Sequence, residues 1–302
     1  MNIFLDNVNI MSTSGPNHFG NKLKKYLEQN GHTFVFDRSF DIQLSFIQKN
    51  NSIANIPLVQ RLDGIYFNSD FNYRMQNSPI LNTYQQADGV VFQTQFNKDL
   101  IFNYFGPHKN STIIRNGADL EYISNIRPLK NSFTQNHDNI WCCASSWRPH
   151  KRLKENIDYF LQHASSRDGL IVAGQVNKID MVDDKRVYYI GNLNINDLIS
   201  VYKASDYFIH LAWLDHCPNV VVDARACGCK IICSSSGGTK EVAGEDAILI
   251  QEEEWDFRPV KLYSPPPMSF ESKTLNTHSS NIDMKFVAKQ YSNFLGRIYE
   301  GN

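Results

Sequence analysis

The chain has 302 residues, 42% of them hydrophobic and 20% charged, which describes a globular protein with apolar material for two ordinary domains. With 30 basic against 31 acidic residues its net charge is −1, which excludes a global basic field that would recruit nucleic acid or an anionic membrane. No apolar run approaches the ~20 residues of a membrane span, MNIFLDNVNI is no signal peptide, and the six cysteines form neither a C-x-x-C pair nor a zinc spacing, so they read as reduced thiols in a cytoplasmic protein.

Asn2 to Leu5 reads as a strand, and a loop through Ser14, Gly15 and Pro16 leads into an amphipathic helix from His18 to Gln29 that Asn30-Gly31 terminates. His32 to Phe36 is the next strand. Glycine in a strand-to-helix loop lets backbone approach a phosphate or sugar, so Gly15 is a candidate substrate contact; a plain turn is the rival explanation. The loop lacks the Lys and Ser/Thr of a P-loop, which argues against ATP, and His18 reads as merely exposed.

Strands are expected at Ile42 to Phe46, Pro57 to Arg61, Asp88 to Thr94 and Ser111 to Arg115, with a helix from Asn97 to Phe105 closed by Gly106-Pro107. Arg61, Asp63 and Arg74 are candidates for touching a substrate, weighed against roles as structural or surface charges. Asn116 and Asp119 are weighed as residues bordering a cleft, against a turn that needs Asn-Gly and accounts for them adequately. These elements give a first domain over residues 1–120.

Glu121 to His137 is polar and without periodicity, the composition of an interdomain linker. The second domain, residues 138–270, opens with a strand at Asn139 to Ala144. A cationic loop with Arg148, Lys151 and Arg152 follows, and then a helix from Leu153 to His163. Strands at Leu170 to Ala173 and Arg186 to Ile190 and a helix at Asn196 to Lys203 continue the alternation, which is that of a doubly wound parallel sheet.

The stretch from Ser205 to Leu249 is the most informative. Tyr207 to Ala212 is a buried strand, Pro218 opens a helix over Asn219 to Cys227 that Gly228 stops, and a strand at Lys230 to Cys233 runs into Ser-Ser-Ser-Gly-Gly. Asp215 lies in the loop beyond the strand, and Asp223 one turn inside the helix. In open α/β sheets ligands bind beyond the carboxyl ends of strands. Free N–H groups near Pro218, Asn219 and Val220 suit a phosphate, and Asp223 suits a sugar hydroxyl, so the arrangement fits a sugar nucleotide. After Ile250 the chain is acidic and proline-rich, read as irregular surface structure, and it ends in an amphipathic helix from Asp283 to Tyr299.

Asp215 and Asp223 with seven residues between them, then Ala226-Cys227-Gly228, Gly237-Gly238 and Glu241, resemble the signature of retaining, GT-B-fold glycosyltransferases of the group 1 class, with aspartates where that signature has glutamates. V-Q-R-L-D-G-I, A-D-G-V-V-F-Q-T and I-I-R-N-G-A-D resemble the N-terminal half of the same class. The resemblance implies two Rossmann-like domains facing a cleft, with an abbreviated acceptor-side domain first and a nucleotide-sugar-side domain second. Segment 281–300 would pack back toward the first. It also implies that Arg148 and Lys151 hold the donor pyrophosphate, that Gly15, Gly237 and Gly238 line the site, and that the anomeric configuration is retained.

Breaking the anomeric C–O bond builds negative charge on the departing diphosphate. Metal-dependent transferases meet that charge with a cation held by a D-x-D sequence, which this chain lacks. The expectation is a metal-independent enzyme with no cofactor beyond its nucleoside-diphosphate sugar. Asp215, Arg148 and Lys151 would do the chemistry. The acceptor is a glycan, a lipid-linked or another molecule, and peripheral membrane contact stays open. The rivals are a nucleotide-sugar epimerase of the same architecture and a non-catalytic sugar-nucleotide or glycan-binding protein.

Overall fold

The computed structural model describes residues 1–301 except Ile10, Thr13, residues 36–38, Ser52 and Ala54. The chain divides into two compact units: Met1–Gly117 with Asp256–Val260 and Asn281–Asn302, and Ala118–Trp255 with Lys261–Ser280.

The first unit runs β1 (Asn2–Asp6), α1 (Gly15–Gln29), β2 (Thr33–Phe34), β3 (Ile42–Phe46), β4 (Leu58–Leu62), α2 (Tyr73–Gln86), β5 (Gly89–Phe92), α3 (Gln95–Phe105) and β6 (Ser111–Ile113). Its sheet has the order β2-β1-β3-β4-β5-β6, parallel throughout. Strands β3, β4 and β5 are buried along their whole length; β5 is an apolar run, whereas β3 and β4 bury the polar residues Gln43, Ser45, Gln60 and Arg61 among apolar ones. Pro16 sits in the first turn of α1, where its missing N–H costs nothing, and Phe19, Leu23, Tyr26 and Leu27 form the buried face. The Thr94 hydroxyl caps α3 by accepting from the Asn97 N–H at 3.0 Å. Of the strand expected at His32 to Phe36, only Thr33 and Phe34 pair, and Phe36 lies outside the described residues.

The second unit runs α4 (Leu120–Ser124), α5 (Ser132–Asn136), β7 (Ile140–Ala144), α6 (Leu153–His163), β8 (Gly169–Ala173), β9 (Val187–Gly191), α7 (Ile195–Lys203), β10 (Tyr207–His210), α8 (Asn219–Ala226), β11 (Lys230–Ser234), β12 (Ile248–Ile250) and β13 (Lys273–Leu275). The sheet order is β13-β12-β11-β10-β7-β8-β9, parallel except for β13. Its core gathers Trp141, Cys143, Ile157, Phe160, Leu170, Val172, Ile209, Leu211 and Ile232.

Three expectations need correction. The polar stretch 121–137 holds two short helices; Asn131 and Thr134 form a capping box that ties down the second. Residues 256–260 do not continue the second unit. Their backbone joins the first, with the Val260 N–H donating to the Phe67 carbonyl (3.1 Å) and the Ser69 N–H to the Val260 carbonyl (2.8 Å). The stretch after Ile250 contains β13, an edge strand with every residue exposed, so no apolar alternation marks it. The last helix, α9 (Met284–Glu300), joins the first unit's core through Met284, Val287, Tyr291, Phe294 and Leu295.

Candidate functional site

Strands β7 and β10 are parallel neighbours, with Tyr207 opposite Trp141 and Phe208 opposite Cys142, so the loops leaving their carboxyl ends emerge side by side. The first loop turns through a 3₁₀ helix at Pro149–Lys151; Arg152 takes a left-handed conformation (φ 54°) and α6 begins. The second runs from Leu211 to the start of α8. The Trp213 N–H donates to the His150 carbonyl at 2.8 Å and ties the two loops together.

At this junction the Lys151 ammonium donates to Asp215 Oδ2 at 2.5 Å. The Nε2 of His210, the last residue of β10, lies 2.9 Å from the same oxygen, and the His216 N–H donates to Oδ1 at 3.0 Å. Burial pushes the Asp215 carboxyl up, but the Lys151 charge and the His210 bond outweigh it and hold the group well below the usual carboxylate range. The pKa values of the imidazoles around it are lowered as well. Burial lowers His210, takes His150 down to about 3 and His216 to about 4, and the Lys151 charge adds to the effect in each case. At neutral pH the centre is one carboxylate, one ammonium and three uncharged rings.

A third loop braces this centre. The Gly238 N–H donates to the Asp215 carbonyl (2.8 Å), and the Leu214 N–H to Ser236 Oγ (3.3 Å). Ser236 bonds Ser234 at 2.7 Å, Ser234 donates to Glu252, and Glu252 pairs with the buried Arg152 at 2.7 Å. Arg152 donates further to the Pro266 carbonyl (2.8 Å) and the Leu211 carbonyl (3.4 Å). An ion pair this deep holds only because both partners have further bonds.

The structure brings Lys151 and Asp215 together and sorts the three cations of their loop. Lys151 faces Asp215, Arg152 is internal, and Arg148 is exposed, its guanidinium without a hydrogen bond or ion pair among the described residues. Arg148 lines a recess of about 500 Å³ with Trp147, Leu153, Asn177 and Ile179. Pro218 is the N-cap of α8 and Asn219 and Val220 are its first residues; the N–H groups of Val221 and Val222 close back on the Pro218 carbonyl at 3.1 and 3.3 Å. Asp223 is buried in α8 beside Cys227, whose thiol is pushed up to about 12 by burial and then by the Asp223 charge. Gly237 and Gly238 lie against the backbone of Asp215, and Gly15 is the exposed first residue of α1 in the other unit. Sequence reasoning passed over His150, His210, His216 and the Arg152–Glu252 pair. A histidine five positions before the loop aspartate was the one available signal for this group.

Among the described residues no set of three or more His, Cys, Asp or Glu side chains is placed to hold a metal ion, and no helix is long and apolar enough to cross a membrane. Residues 138–257 match the family described as Glycosyl transferases group 1. No curated protein matches the chain. Among solved structures, sucrose-phosphate synthase of Thermosynechococcus elongatus superposes with a TM-score of 0.70 at 11% identity, covering 100% of both chains. Anabaena HepE, solved in complex with UDP-glucose, gives 0.62 at 15%, covering 100% of this chain and 99% of that one. WaaG, a glycosyltransferase involved in lipopolysaccharide biosynthesis, gives 0.62 at 14%, covering 99% and 93%. The match to the group 1 glycosyltransferase family thus covers residues 138–257, and the whole chain carries the GT-B fold of these solved glycosyltransferases.

Proposed function

We propose that this glycosyltransferase takes its sugar from a nucleoside-diphosphate sugar, works without a metal ion or other cofactor, and retains the anomeric configuration. The observation that carries the reading is the position of Lys151. Its ammonium stands at the carboxyl edge of β7 and β10, on Asp215, in the loop that leads to the N-terminus of α8. A diphosphate needs a fixed cation and N–H donors as its charge grows, and the dipole and N–H groups of a helix start supply the second. Arg148, exposed and without a partner among the described residues, is the further cation we assign to the diphosphate. Asp215 takes the donor sugar and Asp223 the ribose. Pro218, Asn219 and Val220 present the helix end, while Gly237 and Gly238 shape the loop around Asp215. Gly15 would serve the acceptor, a glycan or lipid-linked molecule that peripheral contact with a membrane would bring near. The six free cysteines suit a reducing cytoplasm.

The test is a panel of UDP-, GDP- and ADP-sugars scored by thermal shift, since a ligand that binds only the native state raises its stability by mass action. Radiolabelled transfer with EDTA present and proton NMR of the product anomer follow. Transfer that EDTA abolishes and manganese restores removes the metal-independent mechanism; an inverted product removes retention. Nucleotide binding without turnover on any acceptor would favour a binding protein, and epimer formation would favour an epimerase.

A further inference from the structure

Asp215 stands where the family signature has a longer glutamate, yet its carboxylate is held on both oxygens. We infer that His210 is a positioning residue for glycosyl transfer: its Nε2–H clamps Oδ2 of Asp215 and aims the short carboxylate at the donor sugar. The inference rests on the donor-binding reading above.

His210 closes β10, is 4% exposed, and stacks over Phe208 with ring centroids 6.2 Å apart, so the strand fixes its ring. An ionised carboxylate only accepts, so the nitrogen 2.9 Å from it must carry the proton, which selects the Nε2–H tautomer. Lys151 shares the same oxygen. A diphosphate would draw that ammonium away, and the imidazole is then the bond that keeps Oδ2 in place. Oδ1 receives the His216 N–H, and a carboxylate oxygen has a second lone pair, which leaves it able to accept from a sugar hydroxyl. The division of labour gives Lys151 to the leaving group and His210 to the aim of Asp215.

The test compares His210→Leu, which removes the donor, with His210→Gln, which keeps an N–H near the same point. Measurements are kcat, donor KM, UDP and GDP affinity, and melting temperature. His210→Leu should lose about 100-fold in kcat, the size of effect expected from a misplaced group, with nucleoside-diphosphate affinity little changed; His210→Gln should recover most of the loss. A folded His210→Leu protein with wild-type kcat overturns the role, and so does an equal loss of nucleotide affinity. Nitrogen-15 NMR of the wild-type chain gives a readout independent of activity and of how the variants fold. It should show His210 as the Nε2–H tautomer across neutral pH, and an Nδ1–H ring would refute the clamp. If the wild-type chain transfers from none of the sugars while NMR shows the clamp, the donor reading has failed and not the geometry.

Discussion

Gly237 stands so close to Asp215 that a Cβ on its α-carbon would lie 2.5 Å from the Asp215 carbonyl oxygen and 2.9 Å from its nitrogen. Its φ is +74°, a left-handed conformation that costs other residues about 1 kcal/mol or more. Gly237→Ala meets both penalties, and backbone is not a neighbour that rotates away. Gly191, with φ +69° and nothing within 4 Å of a built Cβ, meets only the first. In urea unfolding Gly237→Ala should cost about 3 kcal/mol and Gly191→Ala about 1 kcal/mol. Equal losses would mean that the Asp215 turn yields freely.

Lys151→Ala separates the proposed contact with the leaving group from folding. The pair it forms with Asp215 is partly buried, with side-chain exposures of 19% and 14%, and Asp215 keeps its bonds to His210 and the His216 N–H when the lysine goes. Stability should fall by about 1–2 kcal/mol. If Lys151 meets the departing diphosphate as proposed, its loss should lower kcat by about 100- to 1,000-fold. Matching losses in the unfolding and kinetic assays would assign the lysine to structure alone.

Much of the second unit was legible because each element is locally consistent. The apolar run at 207–212, Pro218 before α8 and Gly228 after it all pointed to one topology, and parallel pairing of β7 with β10 then brings Lys151 to Asp215. Helix α2 was less visible: Pro79 lies inside it and its face mixes polar with apolar residues. The resemblance set Gly237 and Gly238 along the site; that both lie against the backbone of Asp215 was not legible, because periodicity cannot tell which backbone a glycine admits. The gathering of imidazoles on Asp215 depends on how a loop returns to its own strand, and Arg152 looks like its neighbours Arg148 and Lys151 until Glu252, far along the chain, turns up beside it.

The lowered imidazoles give acid sensitivity a direction. Burial first and the Lys151 charge against them hold His150 near about 3 and His216 near about 4, below the ~6.5 of an unfolded chain. A lowered histidine pKa means that the unfolded state takes the proton first, so stability falls as pH drops from about 6.5 toward those values. Asp215, whose carboxyl is also lowered, contributes stability present above about 3.9 and lost below it, in the same direction. The urea midpoint should therefore decline steadily between pH 6.5 and 4, and His150→Asn should make that decline shallower. A profile as steep in the variant as in the wild type would place the sensitivity elsewhere.

Arg61, one of the charges weighed as a substrate contact, is 1% exposed in the first unit. Its guanidinium lies 4.1 Å from the Phe19 ring centroid and 4.8 Å from that of Phe46, donates to Asn116 Oδ1 at 2.8 Å and pairs with Asp63. A planar cation that both stacks and forks is what arginine provides and lysine does not. Arg61→Leu leaves the Asp63 charge without its cation and should cost about 3 kcal/mol. Arg61→Lys should fall between it and the wild type. Adding Asp63→Asn to Arg61→Leu should recover part of the loss, because the stranded charge goes with it. Arg74→Ala, at an exposed site, should change stability by less than about 0.5 kcal/mol. If the Leu variant proves as stable as Arg74→Ala in the same urea titrations, the guanidinium contributes no more than an ordinary surface charge.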